Sequence, residues 1–388
     1  MSGPAADPEP PMPEDAPAQG QLVLDGHKMA FHLDRVRDWL AGKRIAPITV
    51  DVALTRRCNF RCSYCYSQLQ HNEGKELTRQ NLFDFADDLA EVGVRAVSLV
   101  SDGESTCHPD WVDFIRRVKD NGVDAAIGTN GFAISPEQFR AVLPRLAYLR
   151  FNISAAEEAA YCRIHGVAPQ AYHRVIENIR AAVRIKREAG LSVTLGLQMV
   201  LTKDCADQAV PLARLGRELG VDYTVIKHCS DSELGELGVD YAWYAGMEEA
   251  LKEAESLSTP DYLVKAKWSK IMNLGRKKYT QCLSIPFMIQ LSGTGLVAPC
   301  GFLFNERYRD KYHIGSIAET RFKDIFGSPR YWEVVDFLAS QEFDANRMCG
   351  TNCLQHKVNE FLWDVKTGVI DIDRIAVPKQ KPLHVNFI

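Results

Sequence analysis

The chain has 388 residues, 46% of them hydrophobic and 25% charged, and a net charge of −4 at neutral pH. That length buries one large or two ordinary cores, the balance is ordinary for a globular protein, and no basic field for nucleic acid is present. No apolar run approaches the length of a membrane span. The segment Met1–Gln19, rich in Pro, Ala, Asp and Glu, lacks the apolar core of a signal peptide and reads as disordered. Eleven cysteines without a secretion signal point to metal or redox chemistry in the cytoplasm rather than to disulfides.

Residues 1–21 are expected as a disordered leader and 22–46 as a short β/helix preface. From residue 47 to 235 strands and helices alternate. Candidate strands are Ile48–Thr55, Ala96–Asp102, Asp124–Asn130, Tyr148–Ser154, Ser192–Thr202 and Asp222–Cys229. Helical patterns lie between them, over Thr78–Val92, Pro109–Asn121, Pro136–Leu143, Tyr172–Ala189 and Lys203–Leu219. Apolar residues recur at three- and four-residue steps, as in Val175, Ile179, Ala182 and Val183, and Gly93, Gly122, Gly190 and Gly220 stand where C-terminal caps are expected. Six β/α units predict an α/β fold with a parallel sheet and right-handed crossovers.

In such folds reactive groups collect at the C-terminal strand ends. Polar clusters fall there in one register: Ser101–Glu104, Gly128–Gly131, Asn152–Ser154, Gln198 and Lys227–Cys229. Any one of them is also ordinary turn chemistry; their common register is the signal. Past residue 240 the rhythm stops. Residues 236–280 read as a helical linker, with helices over Tyr241–Leu257 and Ala266–Arg276, and 281–370 as a cysteine-rich domain before a tail at 371–388. That domain opens on a predicted hairpin, Phe287–Leu291 and Leu296–Ala298, turning at Ser292–Gly295.

The first strand runs into Cys58-Asn59-Phe60-Arg61-Cys62-Ser63-Tyr64-Cys65. Three thiolates on one short loop leave a tetrahedral site one ligand short, whereas structural zinc sites pair two separate knuckles and are closed. Clustered thiolates suit iron–sulfur clusters. The loop resembles the CxxxCxΦC signature of the radical S-adenosylmethionine (SAM) enzymes, with Tyr64 as the aromatic. The resemblance implies a partial (β/α)6 barrel over 47–235. It also implies a [4Fe–4S] cluster on Cys58, Cys62 and Cys65 whose open iron binds SAM, and an external one-electron donor such as flavodoxin or ferredoxin. In the family one electron from the cluster cleaves SAM to a 5′-deoxyadenosyl radical. Gly103 and Glu104 match the family's Gly-Gly-Glu, whose carboxylate faces the SAM ammonium; Ser101 and Asp102 depart from that pattern. Asn152, Ser154 and Arg163 match positions that contact SAM, and Gln198 is placed to line the pocket.

Cys282, Cys300, Cys349 and Cys353 form a second set. The spacing C-x12-G-x4-C around Gly295 resembles the opening of SPASM and twitch domains, which carry auxiliary clusters. Four cysteines fit the twitch form with one saturated auxiliary [4Fe–4S] cluster, suited to electron transfer; the closing C-x3-C departs from the usual C-x2-C, and four thiolates also close a zinc site. Cys107, Cys162 and Cys205 read as structural thiols. Cys229 ends the sixth strand, where a thiol can give a hydrogen atom to a substrate radical, and Lys227 or His228 can instead deprotonate a substrate hydroxyl. The expected activity is hydrogen abstraction from a small, carbohydrate-like metabolite, ending in oxidation of a hydroxyl-bearing carbon with the auxiliary cluster as acceptor. Redox-neutral epimerisation or dehydration is the alternative. Modification of a ribosomally made peptide ranks third, because the segment ahead of the first strand is short for a leader-binding domain. A non-enzymatic iron–sulfur scaffold is the remaining class, and the open loop with Glu104 argues against it.

Overall fold

The computed structural model describes residues 20–388; most of the expected leader lies outside the described residues. A helix, α1 (Leu33–Leu40), precedes seven parallel strands: β1 (Thr49–Val52), β2 (Ala96–Leu99), β3 (Asp124–Thr129), β4 (Leu146–Asn152), β5 (Thr194–Leu201), β6 (Tyr223–His228) and β7 (Leu263–Ala266). The crossovers are α2 (Arg79–Val92), α3 (Trp111–Asp120), α4 (Pro136–Val142), α5 (Glu158–His165) with α6 (Pro169–Glu188), α7 (Ala209–Leu219) and α8 (Glu248–Glu255). The helices cover one face, so β5 is buried at every position and its sequence is a nearly unbroken apolar run, as parallel strands require. Among the described residues no helix is long and apolar enough to cross a membrane.

After a short α9 (Trp268–Ile271), β8 (Met288–Leu291) returns to lie parallel to β1, with Thr49 beside both Ala96 and Met288. β9 (Leu296–Ala298) pairs antiparallel with β8, and β10 (Gly315–Ser316) with β9. The sheet therefore has ten strands in the order β10-β9-β8-β1-β2-β3-β4-β5-β6-β7. No pairing joins β7 to β8, and the barrel stays open there. The cysteine-rich segment shares its sheet with the barrel. Helices α10 (Arg309–Tyr312), α11 (Phe322–Gly327), α12 (Pro329–Leu338) and α13 (His356–Lys366) complete it.

Several expectations change. The stretch expected as a helical linker contributes β7, and its second helix shrinks to the four residues of α9. Lys203–Leu219 divides into a 3-10 turn, Lys203–Gln208, and α7, with a break at Cys205; Pro211 falls in the first turn of α7, where no N–H is needed. The preface holds a 3-10 turn and α1 but no strand. The tail caps the N-terminal end of the barrel: Thr49 Oγ1 donates to the Asn386 carbonyl (2.6 Å) and Thr194 Oγ1 meets His384 Nε2 (2.8 Å).

The junction of barrel and hairpin is a buried clamp. Gly103 has φ +71°, and a Cβ there would run into the backbone of Thr55 and Arg56. A Cβ on Gly293 would strike the same two residues from the hairpin side. The chain leading to the first cysteine thus passes between two glycines. Asp102 ties the layers together: its carboxylate accepts from Ser292 Oγ (2.7 Å) and Gly293 N (2.9 Å) and pairs with Arg56 Nε (3.2 Å). Asp102→Ala leaves buried donors and a partly buried guanidinium unpaired and is expected to cost about 3 kcal/mol. Gly293→Ala is expected to cost more than about 2 kcal/mol through overlap with backbone that cannot move aside. Denaturant unfolding of each variant checks both values.

Candidate functional site

The strand ends open into a cavity of about 380 Å3. Cys58, Cys62, Tyr64 and Cys65 line it from the loop after β1, and Gly103 and Glu104 from the end of β2. Asn152, Gln198, Lys227, His228 and Cys229 line it from β4, β5 and β6.

The cysteine loop is held by the end of α5. Arg61 N donates to the His165 carbonyl (3.1 Å) and Ser63 N to that of Ile164 (2.9 Å). Phe60, 6% exposed, inserts between Phe132, Tyr161 and His165. His165 is one of two residues that sequence reasoning missed. Its Nε2 accepts the Ser154 N–H (3.1 Å), which leaves the ring proton on Nδ1, and Nδ1 lies 3.1 Å from Cys62 Sγ. Burial lowers the His165 pKa to about 3, so the neutral ring donates to sulfur. The sequence offered only a histidine at a helix end beside the singled-out Arg163.

Glu104 is buried, and four donors converge on it: Thr106 N and Oγ1 (3.2 and 2.7 Å) and Thr129 Oγ1 (2.9 Å) on Oε1, and Asn130 N (2.7 Å) on Oε2. Burial pushes its pKa up and these donors pull it down. Oε2 retains a lone pair for an ammonium facing the cavity. Gln198 Nε2 donates to Asn152 Oδ1 (3.0 Å) and so fixes both amides. Two expectations are not met. Ser154 is fully buried and does not line the cavity; its hydroxyl is spent on the Tyr64 hydroxyl (3.1 Å) and the Val200 N–H (3.1 Å), so it supports Tyr64. Arg163 is exposed and donates to the Asp204 carbonyl (3.2 Å), because its place on α5 turns it away from the cavity.

The three candidate catalytic residues differ. His228 is 1% exposed; Nε2 meets the Asn352 carbonyl (3.3 Å), so the proton sits there and Nδ1 has no partner. Burial, then Lys270 and Lys227, hold its pKa well below the usual value. Burial raises the Cys229 thiol to about 11, and its Sγ lies 3.8 Å from the Tyr64 carbonyl. Lys227 makes no hydrogen bond or ion pair among the described residues.

Among the described residues no three His, Cys, Asp or Glu side chains are grouped closely enough to hold a single metal ion, and the donors present are thiols, the ligands of iron–sulfur clusters. Burial raises Cys58 to about 11 and Cys62 to about 12, with the neighbouring thiols adding to both. Burial first, and then the neighbouring Cys349, Cys353 and Cys282, push the Cys300 thiol well up, so the four lie near one another. Asn359, also missed, accepts from Leu283 N and Ser284 N and turns Nδ2 toward Cys282 Sγ (3.8 Å) and Cys353 Sγ (3.9 Å). Tyr66, next to Cys65, packs edge-on against Phe302, two residues past Cys300, with ring centroids 4.7 Å apart.

Residues 52–204 match the radical SAM superfamily, and residues 282–354 match SPASM, an iron–sulfur cluster-binding domain. A probable GTP 3',8-cyclase of Saccharolobus solfataricus is 28% identical over 172 residues, 44% of this chain and 53% of the relative; the chain thus spans about half the length of that relative. A Pyrococcus furiosus tungsten-containing aldehyde ferredoxin oxidoreductase cofactor-modifying protein is 23% identical over 299 residues, 72% of this chain and 80% of the relative. Among solved structures, Streptococcus suis SuiB bound to S-adenosylmethionine superposes with a TM-score of 0.61 at 15% identity, covering 78% of this chain and 71% of SuiB.

Two predictions follow from these contacts. His165→Gln keeps an acceptor for Ser154 and removes the donor to Cys62, whereas His165→Asn keeps the donor and removes the acceptor. The midpoint potential of the cluster is expected to fall in the Gln variant and hold in the Asn variant, read by redox-poised electron paramagnetic resonance. Asp51, in the lumen beside Gln290, is pushed by burial to about 6. Its charged form disfavours the fold, so stability is full below pH about 4 and declines as pH rises through about 6. Asp51→Asn is expected to gain on the order of 2 kcal/mol at pH 8 and almost nothing at pH 4, by denaturant unfolding at both.

Proposed function

The chain belongs to the radical SAM superfamily and carries a SPASM iron–sulfur domain, and we propose that this enzyme takes hydrogen from a small, carbohydrate-like metabolite and oxidises its hydroxyl-bearing carbon to a ketone. The [4Fe–4S] cluster and SAM would supply the 5′-deoxyadenosyl radical, and the auxiliary iron–sulfur site would serve as electron acceptor. Cys58, Cys62 and Cys65 would hold the first cluster and Cys282, Cys300, Cys349 and Cys353 the second. Glu104 would take the SAM ammonium, with Gly103, Asn152 and Gln198 lining the same pocket.

His228 carries the reading. Its bare Nδ1 belongs to a side chain on the cavity wall, its Nε2–H is anchored on Asn352, and Asn352 sits beside Cys353 in the auxiliary segment. Nδ1 is enclosed without a partner, and on this reading a small ring movement would let it accept the proton of the substrate hydroxyl as the carbonyl forms. The cationic surroundings keep the imidazole neutral beforehand and return the proton readily afterwards. The packed contact of Tyr66 with Phe302 connects the two cysteine sets and supports transfer of the leftover electron. Cys229 favours a second reading. It lines the cavity as a protonated thiol, which is the form that returns a hydrogen atom in epimerisation. A flavodoxin- or ferredoxin-type protein would be the external electron donor.

Iron and sulfide per chain after anaerobic reconstitution test the proposal. Wild type is expected to hold about eight irons, and a variant with Ala at Cys58, Cys62 and Cys65 about four, with 5′-deoxyadenosine formation abolished. Retained SAM cleavage in that variant removes the assignment. Zinc at the second site would leave oxidation without an acceptor and put epimerisation first.

A further inference from the structure

The lumen beneath the SAM-facing strand ends holds more positive charge than the protein itself balances. Arg150 points inward from β4 two residues before Asn152, about 7 Å deeper along the strand. It makes no hydrogen bond or ion pair among the described residues, and its Nε is buried without a partner. Its guanidinium lies 5.9 Å from the centre of the Tyr148 ring. Lys227 stands across the lumen on β6. Lys267 follows β7, with its N–H on the Ile226 carbonyl (2.8 Å), and therefore lies beside Lys227. All three side chains line the cavity, and neither ammonium has a hydrogen bond or ion pair among the described residues.

Nearby groups do not cancel this charge. Lys270 is spent on the Leu354 carbonyl (2.6 Å) and feels the Cys353 thiol, which places it with the auxiliary cysteines. Asp25 accepts from Ser269 N (2.9 Å) and Oγ. Asp51 faces the cations, yet no ion pair joins it to any of them, and burial holds it near 6. The cysteines influence Lys227, but around Lys267 burial comes first and then the cations Lys270, Arg150 and Lys227, with no thiol among the causes. Burial and mutual repulsion lower Lys227 to about 8. Cations kept unpaired in a low-dielectric lumen are costly unless a ligand completes them. An arginine with all its donors free presents a planar fork that fits a carboxylate or phosphate in two-point contact.

Building on the function proposed above, we infer that the metabolite carries an oxyanion, a carboxylate or a phosphate, and that Arg150, Lys227 and Lys267 seat it in the lumen with its reacting carbon toward His228 and the SAM pocket. The specificity would then lie in charge: a neutral sugar leaves the three cations unpaired, whereas an acid or a phosphorylated sugar neutralises them and raises the basicity of His228 next to them.

The test uses the full chain, anaerobically reconstituted and loaded with SAM, titrated calorimetrically with inorganic phosphate and separately with acetate. Saturable binding of at least one is expected, weakened at least tenfold by Arg150→Gln and by Lys267→Gln; Arg150→Lys, which keeps charge without the fork, is expected to fall between. Phosphate alone identifies a phosphorylated metabolite and acetate alone a carboxylate. Protection of Lys227 and Lys267 from amine acetylation by the bound anion, read by peptide mass in wild type, covers the case of a variant that does not fold. Absence of saturable binding by either anion, wild-type binding in both variants, or unprotected lysines overturns the inference. The same preparation, reduced with dithionite, is assayed for 5′-deoxyadenosine. If it is made but neither anion binds, this inference alone fails; anion binding without 5′-deoxyadenosine supports the anion seat and removes the functional reading.

Discussion

The site depends on one buried junction. Asp102 joins Arg56, at the start of the cysteine loop, to Ser292 and Gly293 at the tip of the β8–β9 hairpin. Gly103 and Gly293 let the Thr55–Arg56 backbone pass between these layers with no side chain in the way. The carboxylate is fully desolvated, so its three partners are obligatory. Together they fix where the first cysteine leaves the barrel and where the hairpin that leads to Cys300 attaches. The geometric relation of the two cysteine sets is thereby decided by packing within one sheet rather than by a flexible linker.

Around that junction the protein uses neutral dipoles against its cysteines and keeps formal charge in the lumen. His165 and Asn359 each turn an N–H toward sulfur while their other polar atom takes a backbone N–H. Such two-ended side chains fix ring or amide orientation without adding charge, and hydrogen bonds to sulfur are among the levers that set a cluster's potential. The cations instead line the strands that face the open substrate space. On the proposed reading, this division would separate electron chemistry at the cysteines from anion recognition in the lumen.

Much of the architecture was legible. The strands from β1 to β6 follow largely apolar runs, those of β2, β3 and β4 closed by Asp or Asn, and the glycines after the helices take positive φ where caps were expected. β7 was not legible: four residues, Leu263–Ala266, with a lysine among them, carry too little pattern, and the 3-10 turn ahead of α8 breaks the β/α rhythm. The same limit applied to side chains. Ser154 and Arg163 occupy plausible positions along the chain, but the direction each faces is set by its packing. His165 and Asn359 act on cysteines 103 and 77 residues away in sequence, and no local pattern encodes such a contact.

The sequence by itself determined the cofactor class of this protein: its radical SAM and SPASM motifs imply S-adenosylmethionine and iron–sulfur clusters, because motif spacing is a local property of the chain. It also showed six alternating β/α units whose polar residues fall at one end of the strands. The tertiary structure alone decided that the auxiliary segment shares the barrel's sheet and that the tail closes its far end. It likewise decided that Arg150, Lys227 and Lys267 meet in one lumen. Those outcomes rest on which distant groups are buried together, and burial is what turns an ordinary serine, histidine or lysine into a support, a donor or an unpaired charge.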